Sequence, residues 1–371
     1  MLGAAAINPV AIIDPIQTHS DAIIVAIAAR SKSRAEAQIA KYAIKNCVAY
    51  GSYDEILADQ SIQAIYIPLP NGLHCEWAIK AMEAGKHVLI EKPIASNADQ
   101  AARIKQTSER TGKVALEAYH PLFHPAAHCV KALIESGNYG NVTAIDPQFL
   151  IPKGVLAQND IRFQYALAGG ASMDLSYCYW ACLYFRGAKD VSDWDVRILE
   201  AHPRLHAVDK TIDEAMDSTF IMETAGKKPI QCHVRADSAL APLWGLIPRF
   251  WDAAPFVAIE LEKARIEFAA FIGPQYGSSI VVREKNADGK LTGKKTVEKD
   301  YYVGGEEWGA GVGEEWWTTY RYQLEAFVGM IRAKERGEEW KGPWMSMAES
   351  VKVMEMVDAL YDKAGLLRRG L

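Results

Sequence analysis

A lysine and a carboxylate directly follow an apolar segment, in the run Glu91-Lys92-Pro93 after His87–Ile90. The segment has the pattern of a strand buried on both faces, and open α/β sheets bind ligands at the carboxyl ends of such strands. There a lysine can donate a proton or act as a fixed positive charge beside an alkoxide. The proline excludes helix at Lys92 and fixes the turn that aims its side chain. We therefore predict that Lys92 carries the chemistry of this chain.

A second apolar segment, at 65–67, ends in the run Pro68-Leu69-Pro70-Asn71-Gly72-Leu73-His74. A rigid loop at the end of a neighbouring strand would face the same crevice as Lys92. A lone Lys-Pro pair would more often be a solvated turn, but the two loops together favour a binding site. The crevice is expected to be lined by Pro68, Pro70, Asn71, His74 and Glu91.

Strands and helices alternate over the first third of the chain. The apolar runs typical of buried strands lie at 21–30, 47–50, 64–67, 87–90 and 113–118. Helices are predicted at 33–43, 74–84 and 97–110. This alternation predicts right-handed crossovers and a doubly wound parallel sheet. We assign residues 1–120 to a dinucleotide-binding type of domain.

The pattern changes after residue 141, where segments with period-2 alternation follow one another without helices between them. They lie at 218–223, 230–234 and 257–261. Strands gathered in this way predict a large, mainly antiparallel sheet with one open face. Helices are predicted at 316–333 and 345–366, and residues 121–371 form the second, α+β domain. The fold class of the whole chain is therefore α/β.

Composition and spacing argue against several classes of function. A net charge of −5 with both signs interspersed gives no basic surface for nucleic acid or acidic membranes. No apolar run is long enough to cross a bilayer, and no positive head precedes the apolar amino terminus, so a cytoplasmic location is expected. The six cysteines lack the paired spacing of a zinc site. His120, His124 and His128 recur every four residues, but Pro121 and Pro125 interrupt any helix there, and no metal site is predicted.

Two further runs, at 169–174 (Gly-Gly-Ala-Ser-Met-Asp, preceded by Arg162) and at 320–327, complete a set of motifs. Together with the two loops, they resemble the glucose-fructose oxidoreductase / inositol dehydrogenase / rhizopine catabolism family over essentially the whole chain. The runs Glu117-Ala118-Tyr119-His120 and Asp160-Ile161-Arg162-Phe163 resemble its dimeric dihydrodiol dehydrogenase / D-xylose 1-dehydrogenase branch. The resemblance implies a Rossmann domain, an open-faced sheet that builds a homodimer, and a small-molecule substrate. Among the residues that bind this substrate it implies Glu117, Tyr119 and Arg162.

The stretch Gly3-Ala4-Ala5-Ala6-Ile7-Asn8 fits the Gly-x-Ala variant of the family's phosphate-binding turn, with a helix opening at Asn8 or Pro9. The second strand of such a domain usually ends in a carboxylate that binds a ribose 2′-hydroxyl. Arg30, Ser31, Lys32 and Arg34 stand there instead and suit a 2′-phosphate, although an exposed basic turn is the alternative. NADP(H) is therefore expected. The cofactor residues are predicted to be Gly3, Ala5, Ile7, Arg30, Ser31 and Arg34, with the crevice residues and Lys92.

The start of the chain departs from the family pattern. Only Met1 and Leu2 precede Gly3, whereas the central strand of this fold should run about five or six residues into the turn. Without that strand its neighbours would lie about 10 Å apart, twice the strand spacing. The first strand is therefore expected to be truncated. Either the sheet is repaired in another way, or the sequence starts downstream of the true start; otherwise the cofactor site is damaged.

The second departure concerns catalysis. Members of the family place a tyrosine or histidine four residues after the helix aspartate, which here is Asp174. The fourth residue is Cys178, whereas Tyr177 at the third position shares the same face of a helix. Two interpretations stay open: the Tyr177 phenol reaches the substrate, or it is an ordinary packing aromatic. Ser176 replaces a usual glycine, which narrows the room beside the nicotinamide.

The favoured function is an NADP-dependent oxidoreductase that moves a hydride between nicotinamide and a hydroxyl or carbonyl carbon of a sugar, polyol or cyclic diol. Lys92 would relay the proton, Tyr177 or Cys178 would assist, Asp174 would orient, and Arg162 would hold a substrate oxygen. The alternative is a lyase, isomerase or cyclase that uses Lys92 and Tyr177 as acid and base, which the truncated strand and Cys178 favour. A third possibility is a protein that senses NADP(H) without chemistry.

Overall fold

The computed structural model of the chain describes residues 1–187, 194–299, 301–305, 307–309 and 311–370. Its amino-terminal strands are β1 (Ala26–Ala28), β2 (Val48–Tyr50), β3 (Ala64–Ile67), β4 (His87–Ile90) and β5 (Ala115–Glu117). A π-helical turn at Pro9–Ile13 runs into the first helix, and the helices are α1 (Asp14–Gln17), α2 (Lys32–Lys41), α3 (Tyr53–Ala58), α4 (His74–Glu83) and α5 (Ala98–Thr111). β1 pairs with β2 and β3 pairs with β4, which pairs with β5, all in parallel. The predicted parallel, doubly wound arrangement is confirmed.

Residues 1–3 join these two sets of strands. Leu2 forms a parallel bridge with Ala28, and its N–H donates to Tyr66 O at 2.9 Å. The N–H of Ala28 in turn donates to Met1 O at 2.9 Å. The strand order is therefore β2, β1, residues 1–3, β3, β4 and β5. The sheet is closed at the end that faces the phosphate-binding turn, so the gap expected from the short start is bridged there.

The gap persists further along the same two strands as a cavity of about 420 Å³ between β1 and β3. Its walls are mostly apolar and include Ile12, Ile24, Ile56, Leu89 and Phe327. The prediction of a strand over the whole of 21–30 is wrong, because the strand in this segment covers Ala26–Ala28 alone, where the backbone pairs with β2 and with residues 1–3. β1 is therefore paired on this side only over the length that residues 1–3 reach.

An eight-stranded sheet forms the other part of the fold, in the order β13-β12-β11-β10-β6-β9-β8-β7. All its neighbours are antiparallel except β6 and β9. The strands are β6 (Val142–Pro152), β7 (Asp195–Leu205), β8 (Asp213–Glu223), β9 (Ile230–Leu240), β10 (Phe256–Leu261), β11 (Ala264–Ala269), β12 (Ser279–Lys285) and β13 (Leu291–Glu298). The predicted large, mainly antiparallel sheet is confirmed, with strands longer than the sequence segments that indicated them.

The remaining helices are α6 (Pro125–Glu135), α7 (Ala171–Asp174), α8 (Tyr177–Tyr184), α9 (Thr319–Glu335) and α10 (Met347–Ala364). One face of the large sheet is buried against α7 and α8, along a row that contains Ile145, Phe220, Cys232 and Ile259. Burying such a row is what stabilises the packing of helices on the sheet. The opposite face carries charged side chains.

The end of the chain returns to the amino-terminal part of the fold. α10 packs against α5, and Asp358 Oδ2 accepts the N–H of Ala98 at 2.9 Å. Asn97 Nδ2 donates to Arg369 O at 2.8 Å. The division into residues 1–120 and 121–371 stays a prediction. Within the described residues, no helix combines the length and the apolar character needed to span a bilayer.

Candidate active site

A cleft of about 960 Å³ lies between the carboxyl ends of the parallel strands and the large sheet. On the side of the parallel strands, its walls include Ala5, Ala6, Ile7, Val10, Pro68, Leu69, Pro70, Asn71, Glu91 and Lys92. On the opposite side they include His120, Phe149, Ile151, Arg162, Asp174, Tyr177, Ile272, Tyr276 and Tyr320. The structure therefore brings four of the five predicted crevice residues, all except His74, to one cavity, together with the predicted catalytic residues Lys92, Asp174 and Tyr177. This is the place where open α/β sheets bind ligands.

Among the described residues, Asp174 is the one that accepts hydrogen bonds from the Lys92 side chain. Lys92 Nζ donates to the backbone oxygen of Asp174 at 2.7 Å and to Asp174 Oδ1 at 3.0 Å. The same Nζ lies 4.7 Å from the centroid of the Tyr177 ring, where a cation is attracted to the aromatic face. An ammonium group has three donors, so one N–H remains for an oxygen in the cleft. The position of Lys92 suits proton donation.

Asp174 binds two cations at once. Its Oδ1 accepts from Lys92, and its Oδ2 accepts from Arg162 Nε at 2.9 Å. Arg162 also forms an ion pair with Asp160 at 3.0 Å. Burial acts to raise the pKa of Asp174, but the charges of Lys92 and Arg162 outweigh desolvation, and the pKa lies below its ordinary value. Asp174 is therefore an ionised anchor that fixes both cations.

The expected choice between Tyr177 and Cys178 rested on a continuous helix, which the structure does not have. α7 ends at Asp174 and α8 begins at Tyr177, so the two residues between them break the helix. Tyr177 lines the cleft, whereas Cys178 is fully buried and is not part of its walls. Burial raises the pKa of the Cys178 thiol. The structure thus brings the phenol, and not the thiol, to Lys92 and Asp174.

Three side chains of this region had no role in the predicted site. His120 and Tyr320 line the cleft, and Thr319 lies directly behind them. The Tyr177 hydroxyl lies 2.9 Å from His120 Nε2, and His120 Nδ1 lies 2.8 Å from Thr319 Oγ1. In the sequence, His120 and Tyr320 were noted only as members of two runs that resemble the family, at 117–120 and 320–327. Nothing in the sequence indicated a role for Thr319.

The residues predicted for the phosphate end form a compact turn. Gly3 has φ +99°, a conformation that side chains rarely adopt, and an added Cβ would lie 3.1 Å from Leu69 Cδ2. Asn8 Nδ2 donates to Gly3 O at 2.9 Å, and a helical segment begins at Pro9. Ala5, Ala6 and Ile7 line the cleft directly before this helix start, a position that is suited to a phosphate.

A basic group lies beyond this turn, at the end of β1. Arg30 and Arg34 are exposed, and within the described chain no carboxylate is within ion-pair distance of either. Ser31 precedes α2, and its hydroxyl lies 2.6 Å from that of Ser33. Two unpaired guanidinium groups next to a serine suit a phosphate dianion. None of the three contributes to the walls of the cleft itself.

Three other predicted residues lie behind the cleft walls. His74 is buried, with its ring nitrogens 2.9 Å from Pro93 O and 2.7 Å from Leu69 O, and so holds the two loops together. Glu117 accepts the N–H of Ile94 at 2.7 Å, and burial raises its pKa to about 8. Tyr119 is buried, and its hydroxyl lies 2.8 Å from Ser176 Oγ. These three side chains are not part of the cleft walls, and their hydrogen bonds support the loops around the cleft. Their predicted roles in binding cofactor and substrate stay predictions.

The spaced histidines each have other partners. His124 accepts the N–H of Ala126 at 3.2 Å, and His128 Nε2 lies 2.7 Å from Leu122 O. In the part of the chain that the structure describes, no three His, Cys, Asp or Glu side chains are grouped to hold a metal ion.

Comparison with known proteins identifies the family. Residues 1–119 match the oxidoreductase family with an NAD-binding Rossmann fold, GFO_IDH_MocA. D-xylose 1-dehydrogenase (NADP(+)) 2 of Haloferax volcanii is 30% identical over 370 residues, which are 98% of this chain and 96% of that protein. The chain belongs to this oxidoreductase family. The resemblance stated from the sequence motifs is confirmed.

Two further proteins are similar to this chain. Trans-1,2-dihydrobenzene-1,2-diol dehydrogenase of Xenopus tropicalis is 29% identical over 212 residues, 55% of this chain and 58% of that protein. A crystal structure of a 3-ketoreductase from Actinomadura kijaniata, in complex with NADP and TDP-benzene, has a TM-score of 0.74 at 22% identity. It covers 98% of this chain and 96% of that one. The expected fold is confirmed over nearly the whole chain.

Proposed function

We propose that this protein is an NADP(H)-dependent oxidoreductase that interconverts a hydroxyl and a carbonyl group on a sugar, polyol or cyclic diol. The main support is the position of Lys92, which lines the cleft and whose Nζ uses two of its three N–H donors on Asp174. A relative named as an NADP-dependent D-xylose dehydrogenase and a ketoreductase structure with NADP support the same assignment.

The residues present fit a dinucleotide. Its pyrophosphate would lie against the turn at Ala5 and the helix start at Pro9, where Gly3 allows close approach. Arg30 and Arg34 would bind a 2′-phosphate. Bound NADPH supplies a hydride from the nicotinamide, and the protein supplies position and electrostatics. Residues 1–3 pair with both neighbouring strands, β1 and β3, and this pairing keeps the turn at the carboxyl-terminal end of the parallel strands.

Lys92 would act on the substrate oxygen. In the direction of reduction, the carbonyl carbon receives a hydride, and the oxygen receives a proton from the Lys92 ammonium, which solvent water then restores. Asp174 keeps the ammonium in place, and Arg162, anchored on the same carboxylate, would bind a second substrate oxygen. Tyr177, 4.7 Å from Lys92 Nζ as measured to its ring centroid, would contact the same oxygen. The oxidation runs through the same groups in reverse.

The walls of the cleft support a substrate that has both oxygen atoms and an apolar surface. Phe149, Ile151 and Ile272 line the side of the large sheet, and Arg162 and Asn159 provide polar groups. A ring with one apolar face and several hydroxyls would match this distribution. D-xylose and a trans-cyclohexanediol represent the two classes.

NADPH absorbance at 340 nm, followed with a panel of ketoses, aldoses and cyclic ketones, tests the proposed reaction, and D-xylose or diol with NADP⁺ tests the reverse. Lys92→Ala is expected to lose turnover by about 10²- to 10⁴-fold, the contribution of a positioned acid. Lys80→Ala, on an exposed face of α4, is the matched control and is expected to retain turnover. A Lys92→Ala protein with unchanged turnover would remove Lys92 from the mechanism.

The other two candidate functions predict different outcomes of this experiment. A lyase, isomerase or cyclase would form product without any net change in nicotinamide absorbance. A sensor would bind NADPH in a fluorescence titration but would reduce no compound in the panel. Either outcome contradicts the proposed oxidoreductase.

We also propose that the chain forms a homodimer through the open face of the large sheet. This face carries ion pairs, such as Glu260 with Arg265 and Glu267 with Arg283. Ile221 on β8 is an apolar side chain on the same face, opposite Gln231 of β9 and Arg197 of β7. Sedimentation equilibrium is expected to give twice the 41.0 kDa mass, and Ile221→Arg is expected to shift it toward the monomer. A monomeric wild-type protein would contradict the proposal. A cytoplasmic location is proposed as well, consistent with six free cysteines.

A further inference from the structure

A chain of three hydrogen-bonding side chains leads from α9 to the cleft. Tyr177 Oη lies 2.9 Å from His120 Nε2, and His120 Nδ1 lies 2.8 Å from Thr319 Oγ1. The His120 ring also stacks on Tyr320, with ring centroids 4.0 Å apart. His120 comes from a 3₁₀ turn, Tyr177 from the start of α8 and Thr319 from the first turn of α9. The contact therefore depends on how these elements pack.

His120 is a neutral imidazole in this environment. Burial lowers its pKa well below the ordinary value, and the charge of Lys92 and the neighbouring His124 lower it further. The phenols in contact with it, Tyr177 and Tyr320, have pKa values raised by burial and stay protonated. The charged groups that face Tyr177 are Lys92, Glu91 and Asp174. A neutral imidazole has one N–H donor and one acceptor nitrogen.

Thr319 decides which nitrogen carries the proton. Its side chain is fully buried, and within the described residues His120 Nδ1 is the one partner of its hydroxyl. If Nδ1 carried the proton, the Thr319 hydroxyl would accept from it and its own proton would have no acceptor, which is unfavourable in a buried site. Thr319 therefore donates to Nδ1. His120 Nε2 then carries the proton and donates to Tyr177 Oη.

The proton of Tyr177 is consequently directed away from His120. In the described part of the chain the Tyr177 hydroxyl has no other hydrogen-bonding partner, and Tyr177 lines the cleft. We propose that Thr319 and His120 are positioning residues that fix Tyr177 as a hydrogen-bond donor to the substrate oxygen that Lys92 protonates. This inference rests on the proposed function. Tyr177 keeps its proton throughout, so no proton has to move along the chain to Thr319.

The arrangement supports the first of the two interpretations of Tyr177, in which the phenol reaches the substrate. A carbonyl oxygen in the cleft would accept from both Lys92 and Tyr177 and would carry its developing negative charge between two donors. The phenol at position 177 thus serves the role that the family resemblance placed at position 178. His120 acts only through Tyr177 and touches neither the proposed cofactor nor the reacting carbon.

Nitrogen NMR of the full-length protein labelled with ¹⁵N-histidine tests the tautomer without a substrate. The chain has nine histidines, and the His120 signals are assigned by their loss in His120→Gln. At pH 7 His120 is expected to be neutral with the proton on Nε2. Thr319→Val keeps the shape and removes the hydroxyl, and the Nδ1-protonated form is expected to become populated. Thr319→Ser is expected to restore the wild-type pattern. A wild-type His120 protonated on Nδ1, or a pattern unchanged by Thr319→Val, overturns the proposal.

Kinetics of NADPH-dependent reduction, with the best carbonyl compound of the panel, tests the role of the tautomer. Tyr177→Phe is expected to lower kcat by about 10²-fold, as for the loss of one donor to an oxyanion. His120→Leu is expected to lower kcat roughly tenfold with little change in KM, and His120→Gln, whose amide can still donate, to recover part of the loss. In the Tyr177→Phe background His120→Leu is expected to have no further effect.

A matched control variant and the NADPH-binding assay distinguish a failure of the His120 proposal from a failure of the proposed oxidoreductase function. His202→Gln, at an exposed position of β7, is expected to leave kcat unchanged. If His120→Leu lowers kcat equally in the wild-type and Tyr177→Phe proteins, His120 does not act through Tyr177 and the proposal is wrong. If no carbonyl compound is reduced although NADPH binds, the proposed function fails, whereas the NMR experiment still decides the tautomer.

Discussion

The contact between Lys92 and Asp174 supports a quantitative prediction about stability. Lys92 Nζ makes two hydrogen bonds to this residue, and only the one to Oδ1, at 3.0 Å, depends on the carboxylate. The side chains of Lys92 and Asp174 are 14% and 17% exposed, so the pair is not screened as a surface ion pair is. One charge-assisted bond of this kind contributes about 1.5–3 kcal/mol. We expect a coupling free energy of about this size between the two positions.

A double-mutant cycle of Lys92→Met, Asp174→Asn and the double variant measures this coupling from urea denaturation at pH 7. Asp174→Asn is expected to cost about 3–5 kcal/mol, because it leaves the Lys92 and Arg162 cations without their buried anion. The double variant is expected to be more stable than the sum of the two losses predicts. Lys86→Met combined with Asp174→Asn is the matched control, since Lys86 donates to Asp59 O in another part of the fold and the losses should add.

The same cycle has a pH dependence whose sign follows from Asp174. Its pKa in the folded state lies below the ordinary value of 3.8, so its contribution to stability is present above that pH and is lost as the pH falls through the folded value. In Lys92→Met this acid-sensitive contribution is expected to shrink, because one of the two cations that lower the pKa has been removed. A coupling below about 0.5 kcal/mol would mean that the two positions are independent and would refute the proposed anchoring.

Arg30→Ala and Arg34→Ala are each expected to weaken NADPH binding roughly tenfold, the effect of one lost charge-assisted phosphate contact, and to leave NADH binding unchanged in fluorescence titrations. Arg369→Met is expected to lower the free energy of unfolding by about 3–5 kcal/mol in urea, because it leaves the fully buried Asp213 carboxylate without its cation. Glu117 has a pKa of about 8 in the folded protein and an ordinary value of 4.5, so the folded state binds more protons between these values and stability falls as the pH rises. Glu117→Gln is expected to flatten this slope in urea midpoints measured at pH 5, 6.5 and 8.

The parts of the site that the sequence predicted follow from local rules. Lys92 and Asn71 stand at the ends of β4 and β3, and any parallel sheet brings such ends to one edge. The positions of β4 at His87–Ile90 and of β3 at Ala64–Ile67 equal the predicted ones. A proline turn directly after a strand fixes the residue at which the strand ends. The cleft walls on this side could therefore be predicted without knowledge of the second domain.

The opposite wall could not be predicted in the same way, because it depends on contacts between distant segments. His120 and Tyr177 are 57 residues apart, and His120 and Thr319 are 199 residues apart. The helix break after Asp174, which brings Tyr177 to the cleft and buries Cys178, arises where α7 and α8 pack on the large sheet. Helical periodicity assumes an unbroken helix, so it placed positions 177 and 178 on one face.

For the first strand, the rule of strand spacing predicted a gap along the whole sheet. The structure has this gap over only part of its length. Sheet geometry requires a chain segment between β1 and β3, and residues 1–3 satisfy it only at the end that carries the phosphate-binding turn. Since the cofactor would contact that end alone, the cavity of about 420 Å³ left further along affects the packing of the core and not the binding turn. The position of Gly3 is thus compatible with cofactor binding, even though the strand before it is nearly absent. The cavity therefore affects the stability of the fold, whereas the turn at Gly3 affects cofactor binding. The NADPH titration measures cofactor binding independently of stability.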